Sequence, residues 1–241
     1  MNLKELTSSC AAYRTYTDRV VTDDELYRIL DVARFAPSGG NRQGWRVVVI
    51  KDQAIKEKVR DLYVVSWREY MAHVEAGLVP FAPISNRNWG GPAVDLETAR
   101  AIERPFDFSD HLDLAPALLA VFVELSKLAV LDNGLDRQSI VGGASVYPFC
   151  YNILLAAVEI GLGGVMTTAL CREEPEVMSL LGVDPGFALA ALLVIGEPVK
   201  RVTRLSRRPV EDFSRVDSFN GVPFGVVLDP KSSQEYPIKD Y

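Results

Sequence analysis

From Gly142 to Ile160 the chain reads as one long helix, apolar on nearly every face, with Pro148 near its first turns. Such a helix cannot lie on a wet surface, so it must be covered from several sides, by other elements of the chain or by a second copy. Three strand-like runs are available to cover it: Arg46 to Ile50, Leu118 to Glu124 and Phe187 to Gly196. Amphipathic helices surround them. Leu3 to Cys10 starts a short one. Thr22-Asp23-Asp24-Glu25 is a capping box that opens a stronger one, with Leu26, Ile29, Leu30, Ala33 and Phe35 apolar at helical spacing. A charged helix runs from Gln53 to about Tyr70 and on toward Ala76, and Glu174-Pro175 opens another to Leu181. Asp184-Pro185-Gly186 is a turn. This order predicts an α+β domain with a central, mostly antiparallel sheet flanked by helices. No internal repeat appears.

The chain is long enough, at 241 residues, to bury one sizeable core. Its net charge of −6 argues against a nucleic-acid or anionic-membrane partner, which would require a basic field. Cys10, Cys150 and Cys171 form no CxxC pair and are too few for a disulfide framework. A reducing, cytoplasmic setting with free core thiols is therefore expected. The first ten residues lack an apolar signal core, and no apolar run approaches the roughly 18 residues of a membrane span. His73 and His111 have no second histidine or cysteine at ligand spacing, so they read as surface or lid histidines and no metal site is expected. Neither lies in a hydrolase motif, and there is no GxSxG or P-loop.

The segment Ala36-Pro37-Ser38-Gly39-Gly40-Asn41-Arg42-Gln43-Gly44-Trp45 joins a helix to a strand with a dense set of polar backbone and side-chain groups. Pro37 closes the helix. Gly39, Gly40 and Gly44 permit positive φ and close backbone approach, while Ser38, Asn41 and Gln43 offer a hydroxyl and two amides suited to polyols and to the edge of a heteroaromatic ring. Further on, Gly161-Leu162-Gly163-Gly164 follows a helix, where a dinucleotide fingerprint would follow a strand, so a Rossmann reading is rejected.

The helix ending in Ala-Pro-Ser-Gly-Gly-Asn-Arg-Gln, followed by Trp and a Val-rich strand, resembles the flavin-contacting loop of the nitroreductase family of FMN-dependent oxidoreductases. The resemblance implies that fold as an intertwined homodimer with two FMN sites at the interface, and the helix from Gly142 near the dimer centre. It implies that Pro37, Ser38 and Gly39 follow the ribityl chain, with Gly40 also at the cofactor and Asn41 and Gln43 near the pyrimidine end. Val165-Met166-Thr167-Thr168-Ala169-Leu170 matches the family's segment beside the flavin N5 and O4, where Thr168 and Ala169 would donate backbone N–H groups. Arg207-Arg208-Pro209 matches a C-terminal basic pair that reaches the FMN phosphate. Many relatives hold that phosphate with Arg-Arg-Ser-x-Arg as well. Here Arg14 matches only the last arginine, the first three positions being Cys10, Ala11 and Ala12, with Ser8 or Ser9 as nearby substitutes.

The activity implied takes hydride from NADH or NADPH onto FMN and passes electrons to a small aromatic or conjugated acceptor, with no protein nucleophile. Two alternatives share the binding residues: a flavin-storage module without turnover, and a dehalogenase or flavin-fragmenting relative. The deiodinase branch grips its substrate with Glu, Tyr four residues on, and a later Lys; Tyr70 matches the Tyr, but Ser66 stands where the Glu would be. One domain, 1–241, is expected, with a lid-like excursion at about 66–110 and a C-terminal extension from about 199. The excursion carries Trp67, Tyr70 and Trp89, which could stack on an acceptor.

Overall fold

The computed structural model describes residues 1–82, 91–103 and 105–225. Backbone contacts divide the chain into a unit from Met1 to Thr203 and another from Arg204 onward. In chain order the first holds α1 (Leu3–Ser9), α2 (Asp23–Ala33), β1 (Trp45–Ile50), α3 (Gln53–Glu75), α4 (Leu96–Ala101), α5 (Asp107–Asp110), β2 (Ala117–Glu124), α6 (Tyr147–Glu159), β3 (Gly163–Thr167), α7 (Glu174–Leu181) and β4 (Phe187–Gly196). The second contains the short α8 (Val210–Phe213). Trp89 lies outside the described residues.

The sheet is antiparallel throughout, in the order β1-β2-β4-β3. Its two central strands are apolar at nearly every position because both faces are covered. Leu119, Val121, Val123, Leu193 and Ile195 pack toward α2 and α6; the alternate residues Leu118, Ala120, Phe122, Leu192 and Val194 pack toward α3 and α7. A bulge opposite Val121 and Phe122 skips Ala190, which shifts the alternation by one residue in β4. The α+β expectation holds.

Several local expectations are corrected. The helix expected from Gly142 begins only at Tyr147: a 3-10 turn spans Val141–Ser145, and Val146 at φ −130° breaks it from α6. The glycine pair 142–143 has little helical preference, and Pro148 is suited to a first turn. Within one chain, Phe149, Cys150, Ile153, Ala156 and Ala157 of α6 are all buried, leaving Tyr147 and Tyr151 as its exposed large side chains. Its apolarity therefore does not by itself call for a second copy.

The Thr22 capping box is present, but α2 stops at Ala33, and Phe35 is 72% exposed instead of joining the core. The helix expected from Gln53 on toward Ala76 is α3, unbroken to Glu75 with Ser66, Glu69 and His73 buried along it, so residues 66–75 of the expected excursion are regular helix. His73 is thus no surface residue: only 2% exposed, its Nδ1 lies 2.8 Å from the Glu69 carbonyl oxygen. His111 is exposed. Among the described residues no helix is long and apolar enough to cross a membrane, and no cluster of metal-ligating side chains is found.

Candidate active site

A cavity of about 670 Å³ opens between the C-terminal half of α3 and the segment that leaves β3. Its size falls within the range of small-molecule and cofactor sites. Arg14, Trp67, Tyr70, Met166, Thr167, Thr168 and Ala169 line it together, although they come from three distant parts of the sequence.

The N-terminal segment reaches this place along the free edge of β3. Tyr13 N–H donates to the Gly164 carbonyl at 3.1 Å, and the Tyr13 ring packs against Gly163. A Cβ at Gly163 would approach that ring to 2.5 Å, and one at Gly164 would meet the Val194 carbonyl oxygen at 2.5 Å. The glycine pair that superficially suggests a nucleotide fingerprint is therefore there for close packing. It leaves Arg14 at the cavity, exposed, its guanidinium 5.8 Å from the Phe108 ring centre. The Ser8 and Ser9 hydroxyls both donate to the Glu5 carbonyl inside α1.

The opposite wall is an aromatic ladder at helical spacing on α3. Trp67 and Tyr70 stack at 4.7 Å with an interplanar angle of 7°, and Trp67 also stacks on Tyr63 at 6.0 Å. Tyr63 is buried and shares a 3.2 Å hydrogen bond with the Thr167 hydroxyl, which pins the ladder to the end of β3. Two residues beyond Trp67, the fully buried Glu69 accepts from Arg172 Nε at 3.0 Å and from Arg100 Nε at 2.5 Å. Arg100 in turn donates to Glu173 at 2.6 Å. Burial pushes the Glu173 carboxyl above its ordinary value, against the pull of Arg100. This network fixes the turn Ala169–Glu173 against α3. Sequence reasoning missed it; a glutamate on the apolar side of a helix was the available signal.

Cys171 also lines the cavity, its thiol donating to the Leu189 carbonyl at 3.2 Å. Burial, with Glu174 nearby, pushes it up to about 12, so it stays a neutral thiol and no nucleophile.

The loop 37–43 does not line this cavity. It lies directly before β1, where Ser145 Oγ accepts from Gly39 N–H at 3.1 Å and Ser38 Oγ from Gln43 N–H at 3.0 Å. Positive φ occurs at Gly40, Asn41 and Gln43, not at Gly39 or Gly44 as expected. Gly44 is required for space: a Cβ there would come within 3.0 Å of Lys127 Cβ. Pro37, Gly39, Gly40, Asn41 and Gln43 are exposed. In the second unit Arg207 and Arg208 are exposed, Arg207 donating to the Ser206 carbonyl at 2.7 Å.

The model of the nitroreductase family matches residues 9–197. The chain belongs to the nitroreductase family. It is 28% identical over 199 residues to iodotyrosine deiodinase 1 of Rattus norvegicus, covering 83% of this chain and 63% of that protein. It is 36% identical over 187 residues to an Archaeoglobus fulgidus protein provisionally named NADH dehydrogenase/NAD(P)H nitroreductase, covering 77% of this chain and 79% of the relative. The crystal structure of oxidized iodotyrosine deiodinase bound to FMN and 3-iodo-L-tyrosine superposes with a TM-score of 0.62 at 25% identity, over 90% of this chain and all of that one. The chain thus spans less than two thirds of the rat deiodinase's length.

Proposed function

We propose that this family member is an FMN-dependent oxidoreductase that uses NADH or NADPH and delivers electrons to a small aromatic or conjugated acceptor. The observation that carries the reading is the meeting, round one cavity, of Arg14, the 166–169 segment and the aromatic ladder of α3. That donor set suits the group: a guanidinium for a phosphate, hydroxyls and backbone N–H groups for a ring edge, and flat walls for a second ring. The names of the A. fulgidus relative and of the FMN-bound deiodinase structure are consistent with it.

The chemistry supplied by the flavin is hydride acceptance from the nicotinamide and its release to the acceptor in a second step. The chain's own part is to bind and orient. Arg14 holds the phosphate end. Thr168 and Ala169, on the turn that Glu69 and Arg172 secure, would offer backbone N–H groups to the N5 and O4 edge, that of Ala169 giving up its 3.4 Å contact with the Thr167 hydroxyl. Trp67 and Tyr70 cover the opposite side and exclude water. Pro37, Ser38, Gly39, Gly40, Asn41 and Gln43 do not line this cavity and are assigned to the flavin of a second copy, so the working unit is a homodimer with each site made from two chains. The exposure of that loop, and of Phe35 just before it, supports this arrangement.

A storage protein without turnover would hold the same flavin and is separated from an enzyme by its response to NAD(P)H. Flavin released by mild denaturation and identified by chromatography tests the cofactor. FMN is expected, since one arginine end serves one phosphate and no adenosine site is recognisable; FAD as the main flavin would contradict it. Sedimentation should give about twice the 26.6 kDa chain mass, and a folded FMN-loaded monomer would sink the shared site.

A further inference from the structure

A second cavity, of about 300 Å³, lies at the N-terminal end of α3 and shares no lining residue with the candidate active site. It is lined by residues 17–20 ahead of α2, by Gln53 and Lys56 of α3, and by residues 113–116 ahead of β2.

Three charged side chains round it are short of partners among the described residues. Lys56 is buried, and its ammonium donates one hydrogen bond, to the Ala115 carbonyl at 2.8 Å, which leaves two N–H groups unused. Burial works against that charge, and the nearby Asp113 carboxylate offsets the cost only in part. Asp113 is itself 6% exposed; its Oδ2 accepts from Arg60 at 3.1 Å and from the Gln53 amide at 3.4 Å, whereas its Oδ1 has no partner. Arg19 is paired with Glu25 through Nη2, and its buried Nη1 has no partner either.

Buried donors and acceptors are almost always satisfied, so unmet groups of both signs round one space call for an occupant that both donates and accepts. Water does both, but this volume corresponds to roughly ten waters at about 30 Å³ each, and Val20, Leu114, Ala115 and Pro116 give the cavity an apolar wall. An anion alone would leave Asp113 Oδ1 unanswered. A cation alone would meet Lys56 and Arg19. We propose that this cavity is a second ligand site, which takes a small aliphatic α-amino acid as its zwitterion. The carboxylate lies on Lys56 and Arg19, the ammonium on Asp113 Oδ1 and the side chain on the apolar wall. The inference is independent of the flavin reading.

The test is calorimetric titration of the purified protein with L-valine, with 3-methylbutanoate, which lacks the ammonium, and with isobutylamine, which lacks the carboxylate. Valine should bind at least about tenfold more tightly than either, since each truncation leaves a buried charge unpaired. Asp113→Asn should bring the affinities of valine and 3-methylbutanoate together, and Lys56→Met those of valine and isobutylamine. Both positions are buried, so Arg19→Gln, at a side chain 39% exposed, serves where those variants fold poorly. It should weaken valine by about threefold to tenfold and leave the melting temperature nearly unchanged. Absence of heat with valine at millimolar concentration, the result for a cavity that holds ordered water only, overturns the proposal. So do equal affinities for the three probes, or an Arg19→Gln protein that binds valine as the wild type does. Valine that shifts the flavin's visible spectrum and competes with an aromatic acceptor would lie in the active site, which also overturns it. None of these measurements needs turnover, so failure of the flavin reading is seen separately.

Discussion

Arg172 and Glu69 stand 103 residues apart in the chain and meet at 3.0 Å, one on the turn after β3 and the other fully buried on α3. Their pairing, doubled by Arg100 at 2.5 Å, locks the aromatic wall of the cavity to the segment proposed to face the flavin edge. Removing the shared carboxylate leaves two guanidinium groups without it. Glu69→Ala should cost about 3 kcal/mol, the lower end for a broken buried pair because both arginines keep some access to water. Urea denaturation measures this, and a loss below about 1 kcal/mol would mean the network is not holding the site together.

The aromatic ladder should matter to the acceptor more than to the cofactor. Tyr70→Ala or Trp67→Ala removes ring contacts of roughly 0.5–1.5 kcal/mol each. That corresponds to about a threefold to tenfold higher KM for aromatic acceptors. Stopped-flow kinetics separates this from the reaction with NAD(P)H. Loss of FMN in both variants would make the rings cofactor contacts, and unchanged acceptor kinetics would remove them from the site.

Much of the fold was readable in advance because it depends on local pattern. The run from Phe187 to Gly196 is β4 without correction, and Thr22 caps α2 through Glu25 as its spacing implies. What failed was set by distant partners. The helix from Gln53 on toward Ala76 was readable, but nothing near Ser66 in the sequence says that Glu69 on it meets Arg100 and Arg172. His73 is buried as well, its ring 5.1 Å from that of Phe81. Arg14, Met166, Thr167, Thr168 and Ala169, singled out in the sequence, line one cavity, but local pattern did not show that the 37–43 loop stays off it.

The glycine pair at the start of β3 makes a separate prediction. At Gly164 an added methyl would meet the Val194 carbonyl, a backbone atom that cannot swing aside. Gly164→Ala should therefore destabilise by about 1–3 kcal/mol. Thermal denaturation, with limited proteolysis near Tyr13, reads both the loss and the loosening of the segment that bears Arg14. An unchanged melting temperature would show that the strand can shift to admit the methyl.

Acid sensitivity should trace to Asp132. Its carboxylate accepts from the Ile140 N–H at 2.8 Å, from the Ser139 hydroxyl at 2.7 Å and from Arg137 at 2.7 Å. The backbone bond above all, then the hydroxyl, holds its pKa below the ordinary carboxylate range. A depressed folded-state pKa stabilises above the unfolded value, near 4, and that contribution is lost as pH falls through the folded value. Asp132→Asn should thus lower stability at neutral pH and flatten its decline below about pH 4. Parallel curves for the two proteins across that range would contradict the assignment.

The central claim is that this chain turns over a flavin with NAD(P)H. The most direct measurement mixes the purified yellow protein with NADH or NADPH under anaerobic conditions and follows the flavin's visible absorbance, then adds a nitroaromatic or quinone. The account predicts that the colour bleaches with one of the two nicotinamides and returns when the acceptor is added. A protein that holds FMN and stays yellow with both would contradict it.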